Sequence, residues 1–138
     1  MKKNTVKRVI SLFLGSIFSV SLIGADTRTE NIDVFILLDK SLSMVQEISE
    51  VREYVSSSLI ESLLIPGDRI VVIAFYGRSE VIIDETVQSD AGKEAILSRI
   101  DSVHANGRFT DIGNALDSLN QVVQSRQSDR RRYLLLIT

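Results

Sequence analysis

The feature that most constrains this chain is the segment at residues 31–44, N-I-D-V-F-I-L-L-D-K-S-L-S-M, an apolar run that stops at Asp39 and gives way to two spaced serines. Residues 32–38 are apolar except for Asp33, rich in β-branched and aromatic side chains, and too few for a buried helix. The run therefore reads as a parallel strand covered on both faces. In an open α/β sheet, ligands bind in the crevice beyond the carboxyl ends of the strands, which is where Asp39, Ser41 and Ser43 would project. One carboxylate and two hydroxyls on a tight loop make an oxygen-rich pocket suited to a hard divalent cation.

The remaining elements can be placed around this strand. Ser43-Met44-Val45-Gln46 fits a capping box, and apolar residues recur at Val45, Ile48, Val51, Val55, Leu59 and Leu63, which predicts one long amphipathic helix ending before Pro66-Gly67. Residues 70–75 form a second apolar strand and 81–83 a third, joined through Tyr76-Gly77-Arg78-Ser79 as a hairpin, so the third runs antiparallel at the sheet edge. Residues 88–103 read as a helix with Ala91, Ala95, Ile96, Ile100 and Val103 on one face. A further helix is predicted from Thr110, its N-cap, to about residue 125, with Ile112, Ala115, Leu116, Leu119, Val122 and Val123 in one stripe. Residues 124–132 are polar, and Arg130-Arg131-Arg132 is expected in a solvated loop on the side away from the metal. Residues 133–137 read as a buried strand. Ser43 and Thr110 each also have a plain structural explanation, as helix N-caps that bind no metal.

Asp39-Lys40-Ser41-Leu42-Ser43-Met44 resembles the D-x-S-x-S signature of the von Willebrand factor type A domain, whose metal-ion-dependent adhesion site holds Mg2+ between loops. Gly107-Arg108-Phe109-Thr110-Asp111-Ile112-Gly113-Asn114-Ala115-Leu116 resembles the second metal loop of that family, in which a threonine sits just before a helix. The resemblance covers residues 31–138 and implies a Rossmann-like, doubly wound, mostly parallel α/β sheet with one antiparallel edge strand. It also implies that Ser41 and Ser43 contact the ion directly, that Asp39 holds it largely through water, and that Thr110 joins when ligand binds. Mg2+, or Mn2+ or Ca2+ in its place, would keep an open position for an acidic side chain of a protein partner. The sequence departs from the family at Leu42, where glycine is usual, and at Lys40, which sets a cation beside the loop. In the family the strand corresponding to 133–137 usually continues into I-T-D-G, whose aspartate completes the site. Thr138 stands just before that position, so the resemblance implies a fold incomplete at its C-terminus, with an unpaired edge on the last strand.

Composition and charge narrow the function classes. Across 138 residues, 44% are hydrophobic and 25% charged, an ordinary balance for about one globular domain. The net charge of −2 conceals an asymmetry: residues 1–25 carry Lys2, Lys3, Lys7 and Arg8 and no acid, leaving 12 basic against 18 acidic residues in the remainder. An acidic domain argues against nucleic acid as the main partner. The chain has no cysteine, so disulfides, thiolate metal sites and a lipoprotein anchor are excluded. A basic start, an apolar stretch over 9–23 and small Gly24-Ala25 give the layout of a secretory signal peptide cleaved after Ala25, with an uncleaved N-terminal anchor as the alternative. Residues 26–30 then form a short linker, and the expected location is secreted, periplasmic or exposed on the cell envelope, with membrane contact only through an uncleaved N-terminal segment.

Two other chemistries are weighed against cation-dependent protein binding. Gly92-Lys93 lacks the first glycine of a phosphate-binding loop, since Val87 stands there. His104, the single histidine, reads as a solvated loop residue with no nucleophile, base and orienting group around it. An Mg2+-dependent phosphotransferase or hydrolase with a strand-terminal aspartate would need a second acid where Ser41 stands, so the chain is read as a non-enzyme. A structural module with a vestigial site is the other alternative.

Overall fold

The computed structural model describes residues 28–138. The expected signal segment and the first residues of the linker lie outside the described residues. Four strands form one sheet: β1 (Ile32–Asp39), β2 (Arg69–Phe75), β3 (Ser79–Thr86) and β4 (Arg131–Ile137), in the order β3-β2-β1-β4. β1 pairs in parallel with β2 and with β4, whereas β3 runs antiparallel to β2 at the edge. This is the doubly wound, mostly parallel α/β fold expected from the sequence.

The strand pleat explains the two-sided core, because alternate side chains leave opposite faces of the sheet. Ile32, Val34, Ile36 and Leu38 of β1, with Ile70 and Val72 of β2, pack against Ile48, Val55 and Ile60 and against Ile96 and Ile100 of α2 (Asp90–Asp101). Phe35 and Leu37, with Val71, Ile73 and Phe75, pack instead against Ile112, Ala115, Leu119, Val122 and Val123 of α3 (Ile112–Ser125). All eight residues of β1 are buried, as a strand covered on both faces requires.

The helix after β1 differs from its sequence reading in start and in phase. It begins at Ile48 as α1 (Ile48–Glu53), preceded by a 3-10 turn at Leu42–Met44, so Ser43 does not cap it and Val45 is exposed. From Tyr54 to Glu61 it continues with π-type hydrogen bonding. The i→i+5 pattern adds a residue to the turn, which carries the fully buried face from Val55 to Ile60 and Leu64, while Leu59 still packs half-buried on the core and Leu63 turns to solvent. Amphipathic spacing detects the helix but assumes 3.6 residues per turn throughout.

α2 is shorter than expected and is capped by Ser89, whose hydroxyl accepts from the Gly92 amide. In α3 the cap is Asp111, not Thr110, and Leu116 lies on the flank of the stripe, 45% exposed. β4 is also not the buried strand its composition suggests: Tyr133, Leu134 and Leu136 are 51%, 51% and 42% exposed. It pairs with β1 on one side only, and α3 packs mainly over β2 and β3, so both its outer edge and its faces meet solvent among the described residues. Arg131 and Arg132 belong to this strand rather than to the loop before it. They do stand at the end of the sheet opposite Asp39, as the register Ile32↔Arg131 and Leu38↔Ile137 requires.

Candidate metal centre at the carboxyl end of the sheet

The strand register brings the oxygen ligands together. Asp39 is the last residue of β1, opposite Phe75 of β2, and Ile137 pairs with Leu38, so Thr138 emerges beside Asp39. Asp39 is 1% exposed. Its Oδ1 accepts a 2.7 Å hydrogen bond from the Ser41 amide, a local turn of the kind aspartate makes with the backbone two residues on. Its Oδ2 accepts a 2.8 Å bond from the Thr138 hydroxyl.

Ser41 occupies the N-cap position of the 3-10 turn, yet its side chain makes no capping bond. Its Oγ lies 2.8 Å from the Ser43 Oγ instead. The capping explanation for Ser43 therefore fails locally, since the N-cap of α1 is Glu47 and the Ser43 hydroxyl is not spent on a helix start. Ser41 is buried and Ser43 exposed, so the pair reaches the surface at the carboxyl end of the sheet.

The second loop is tied to the first through its backbone. Ser41 and Gly107 form a parallel bridge, the Leu42 amide donates to the Gly107 carbonyl at 2.7 Å, and the Asn106 and Gly107 amides both donate to the Lys40 carbonyl at 3.0 Å. Gly107 is required by closeness: a Cβ built there would lie 2.2 Å from the Tyr76 Cβ. The Asp111 amide donates to the Tyr76 carbonyl at 2.8 Å, and the Asp111 carboxylate accepts from Asn114 to start α3. Thr110, exposed and one residue before that cap, is thus relieved of the capping role. It stands at the same end of the sheet as Asp39 but makes no hydrogen bond to Asp39, Ser41 or Ser43. Three of the four expected ligands are joined directly, and the fourth comes to the same rim.

Both departures in the first loop have a structural answer. Among the described residues no residue other than glycine has a positive φ, so Leu42 sits in ordinary right-handed geometry with its side chain 54% exposed. The Lys40 amine lies 5.1 Å from the centre of the Tyr76 ring, a cation–π contact that gives this charge a resting place.

Thr138 was missed as a contact of Asp39. Its signal was available in register alone, because a parallel strand adjoining β1 must bring its next residue beside the end of β1. His104 is exposed and lines a cleft of about 330 Å³ with Lys40, Glu80, Arg99 and Asn106 beside the second loop. Among the described residues no group of three or more His, Cys, Asp or Glu side chains is placed to hold a metal. The donor chemistry nonetheless fits a hard cation, since a buried carboxylate and a facing pair of uncapped hydroxyls are all oxygen.

Known proteins give the fold its context. An uncharacterized protein of Treponema pallidum (strain Nichols) is 38% identical over 117 residues, 83% of this chain and 52% of that protein, so the chain spans about half the length of this curated relative. Proximal thread matrix protein 1 from the mussel byssus superposes with a TM-score of 0.66 at 20% identity, over 79% of this chain and 30% of its own. That protein has also been solved with its metal-ion-dependent adhesion motif occupied by zinc. The PilB minor pilin of Streptococcus sanguinis superposes with a TM-score of 0.65 at 21% identity, over 81% of this chain and 30% of its own. The family model for the von Willebrand factor type A domain matches residues 34–138, nearly all of the described fold, and the chain belongs to that family.

Proposed function

We propose that this chain is an exported von Willebrand factor type A module that binds a protein partner through a divalent cation. The observation that carries the reading is the Ser41–Ser43 hydroxyl pair, uncommitted to helix capping and set beside a buried carboxylate at the carboxyl end of the sheet. Asp39, Ser41, Ser43 and Thr110 are the residues that would hold Mg2+, or Mn2+ or Ca2+ in its place. A cation held by one carboxylate and neutral hydroxyls keeps most of its charge and supplies an electrophilic position for an acidic side chain from a partner. The chain itself does the rest: the Ser41 amide orients the Asp39 carboxylate, the Gly107 bridge fixes the distance between the loops, and Asp111 starts α3 so that the Thr110 hydroxyl stays free.

Binding is favoured over catalysis because, among the described residues, the one carboxylate beside Ser41 is Asp39, already engaged by the Ser41 amide and the Thr138 hydroxyl, and no second acid joins it. Export is supported by the basic and apolar N-terminal sequence. The domain boundaries that follow are 1–25 for the signal peptide or anchor, 26–30 for the linker and 31–138 for the type A fold. The experiment is calorimetric titration of Mg2+ and Mn2+ into the wild type and into Ser41→Ala. Saturable binding that disappears in the variant is the expected result, and equal heats in both proteins would return the site to the vestigial class.

A further inference from the structure

The second half of the helix after β1 carries two apolar stripes one residue apart. Leu59-Ile60 and Leu63-Leu64 are adjacent apolar pairs, so a slip of one residue along this segment replaces each core side chain by another of the same kind. Ile60 and Leu64 are buried and Leu63 is 37% exposed, while Leu59 packs half-buried against the same core cluster. In an α-helix continued from Val55, residues 59 and 63 follow at four-residue steps and take the inner face. The π-type bonding over Tyr54–Glu61 gives that face to 60 and 64 instead.

The hydrogen bonds record both spacings at once. The Leu59 carbonyl accepts from the Leu63 amide at 3.1 Å, four residues on, and from the Leu64 amide at 3.2 Å, five residues on. The Ser57 hydroxyl donates to the Glu53 carbonyl at 2.7 Å, four residues back, and the Ser62 hydroxyl to the Ser57 carbonyl at 2.6 Å, five residues back. Among the described residues two buried side-chain atoms, Ser56 Oγ and Arg52 Nε, have no hydrogen-bond partner, and both belong to this helix. In regular α geometry a serine hydroxyl reaches the carbonyl four residues back, a bond that Ser56 lacks here.

We propose that residues 54–64 form a two-register helix, exchanging between the π-type arrangement, with Ile60 and Leu64 on the sheet, and an α arrangement with Leu59 and Leu63 there. Neither register puts a polar side chain where the other has an apolar one, so the burial that ordinarily fixes the phase of a helix does not discriminate between them. The slip turns this half of the helix by about 100° around its axis, one residue's worth of rotation. It takes with it the Glu61 carbonyl, which accepts from the Lys93 amine of α2 at 3.3 Å, so the motion reaches the neighbouring helix. Helix register shifts of this kind run on the microsecond to millisecond scale.

The chain has no cysteine, so single thiols report the exchange without background. Val55→Cys, Ile60→Cys and Leu64→Cys are made one at a time in the full chain and their rates of labelling by a maleimide compared, with thermal melts as the folding control. Position 55 faces the core in both registers. The thiols at 60 and 64 should therefore react about tenfold faster than the one at 55, because the slip uncovers them while only unfolding uncovers position 55. Adding Leu63→Asp should abolish the advantage, since the π register leaves that position in solvent and the α register would bury its charge. Deleting Ser58 sets Val55, Ile60 and Leu64 at four-residue steps and should abolish it as well; if the deletion does not fold, Leu63→Asp decides alone. One common rate at all three positions, or an advantage that survives either change as simple fraying of the helix end would, overturns the proposal.

Discussion

Two buried aspartates stand at opposite ends of this sheet, and they are treated differently by the chain around them. Asp68, just before β2, is fully buried and accepts five hydrogen bonds: two from the Arg28 guanidinium, one from the Asn31 amide group, and one each from the Ile32 and Ile65 backbone amides. Asp39, at the far end of β1, is equally buried but receives one amide and one hydroxyl, with no ion pair among the described residues. A carboxylate whose work is structural is saturated by its own chain. One that receives only an amide and a hydroxyl is less fully satisfied, which is what the proposed cation site requires of Asp39.

The largest expected effect breaks the saturated end. Asp68→Ala removes two hydrogen bonds from the Arg28 guanidinium and the acceptor of two backbone amides at once, and removal of one partner of a buried pair costs about 3–5 kcal/mol, read as a fall in the urea midpoint. Acid should reach the same group more gently. Burial pushes the Asp68 carboxyl up, but the donors from Arg28, Ile65, Ile32 and Asn31 outweigh it and hold it below the ordinary value of 3.8. A depressed carboxyl adds stability that is fully present above its unfolded-state value and is lost as pH falls through the folded one. Urea titrations below about pH 4 should therefore show a loss of stability that is weaker in Asp68→Asn, and parallel acid limbs would refute the assignment.

The next effect belongs to the other end. If Asp39 awaits a cation, Mg2+ at a hundredfold above its dissociation constant should stabilise the wild type by about 2.7 kcal/mol and leave Asp39→Asn unmoved, as measured by thermal shift. Gly107→Ala probes the joint between the two loops. The new methyl meets Tyr76, and overpacking of this kind costs about 1–3 kcal/mol, with the cation response weakened because Gly107 sets the loop spacing. Smallest is Asp39→Asn in cation-free buffer, where two hydrogen bonds are altered but no ion pair is broken, for a loss of about 1 kcal/mol. A cost for Asp39→Asn matching that of Asp68→Ala would erase the distinction between the two ends.

Much of this was legible in the amino-acid order. The apolar run of β1, the hairpin of β2 and β3 and the three helical segments follow from local periodicity and turn chemistry, which depend on neighbours a few residues away, whereas the Asp39, Ser41, Ser43 and Thr110 pattern stands out through its resemblance to the two metal loops of the family. Tertiary structure decided what local spacing cannot encode. Hydrogen-bond geometry determined that Ser41 faces Ser43 instead of capping a turn and that Asp111 replaces Thr110 as the cap of α3. The π-type turn moved the buried face to Ile60 and Leu64. The pairing of β4 with β1 carried Thr138 to Asp39 across 99 residues of sequence, while among the described residues Tyr133, Leu134 and Leu136 of β4 stay exposed. Sequence specifies each element because side-chain sterics and burial act at short range; which atoms then meet is fixed by register and packing between elements distant in the chain.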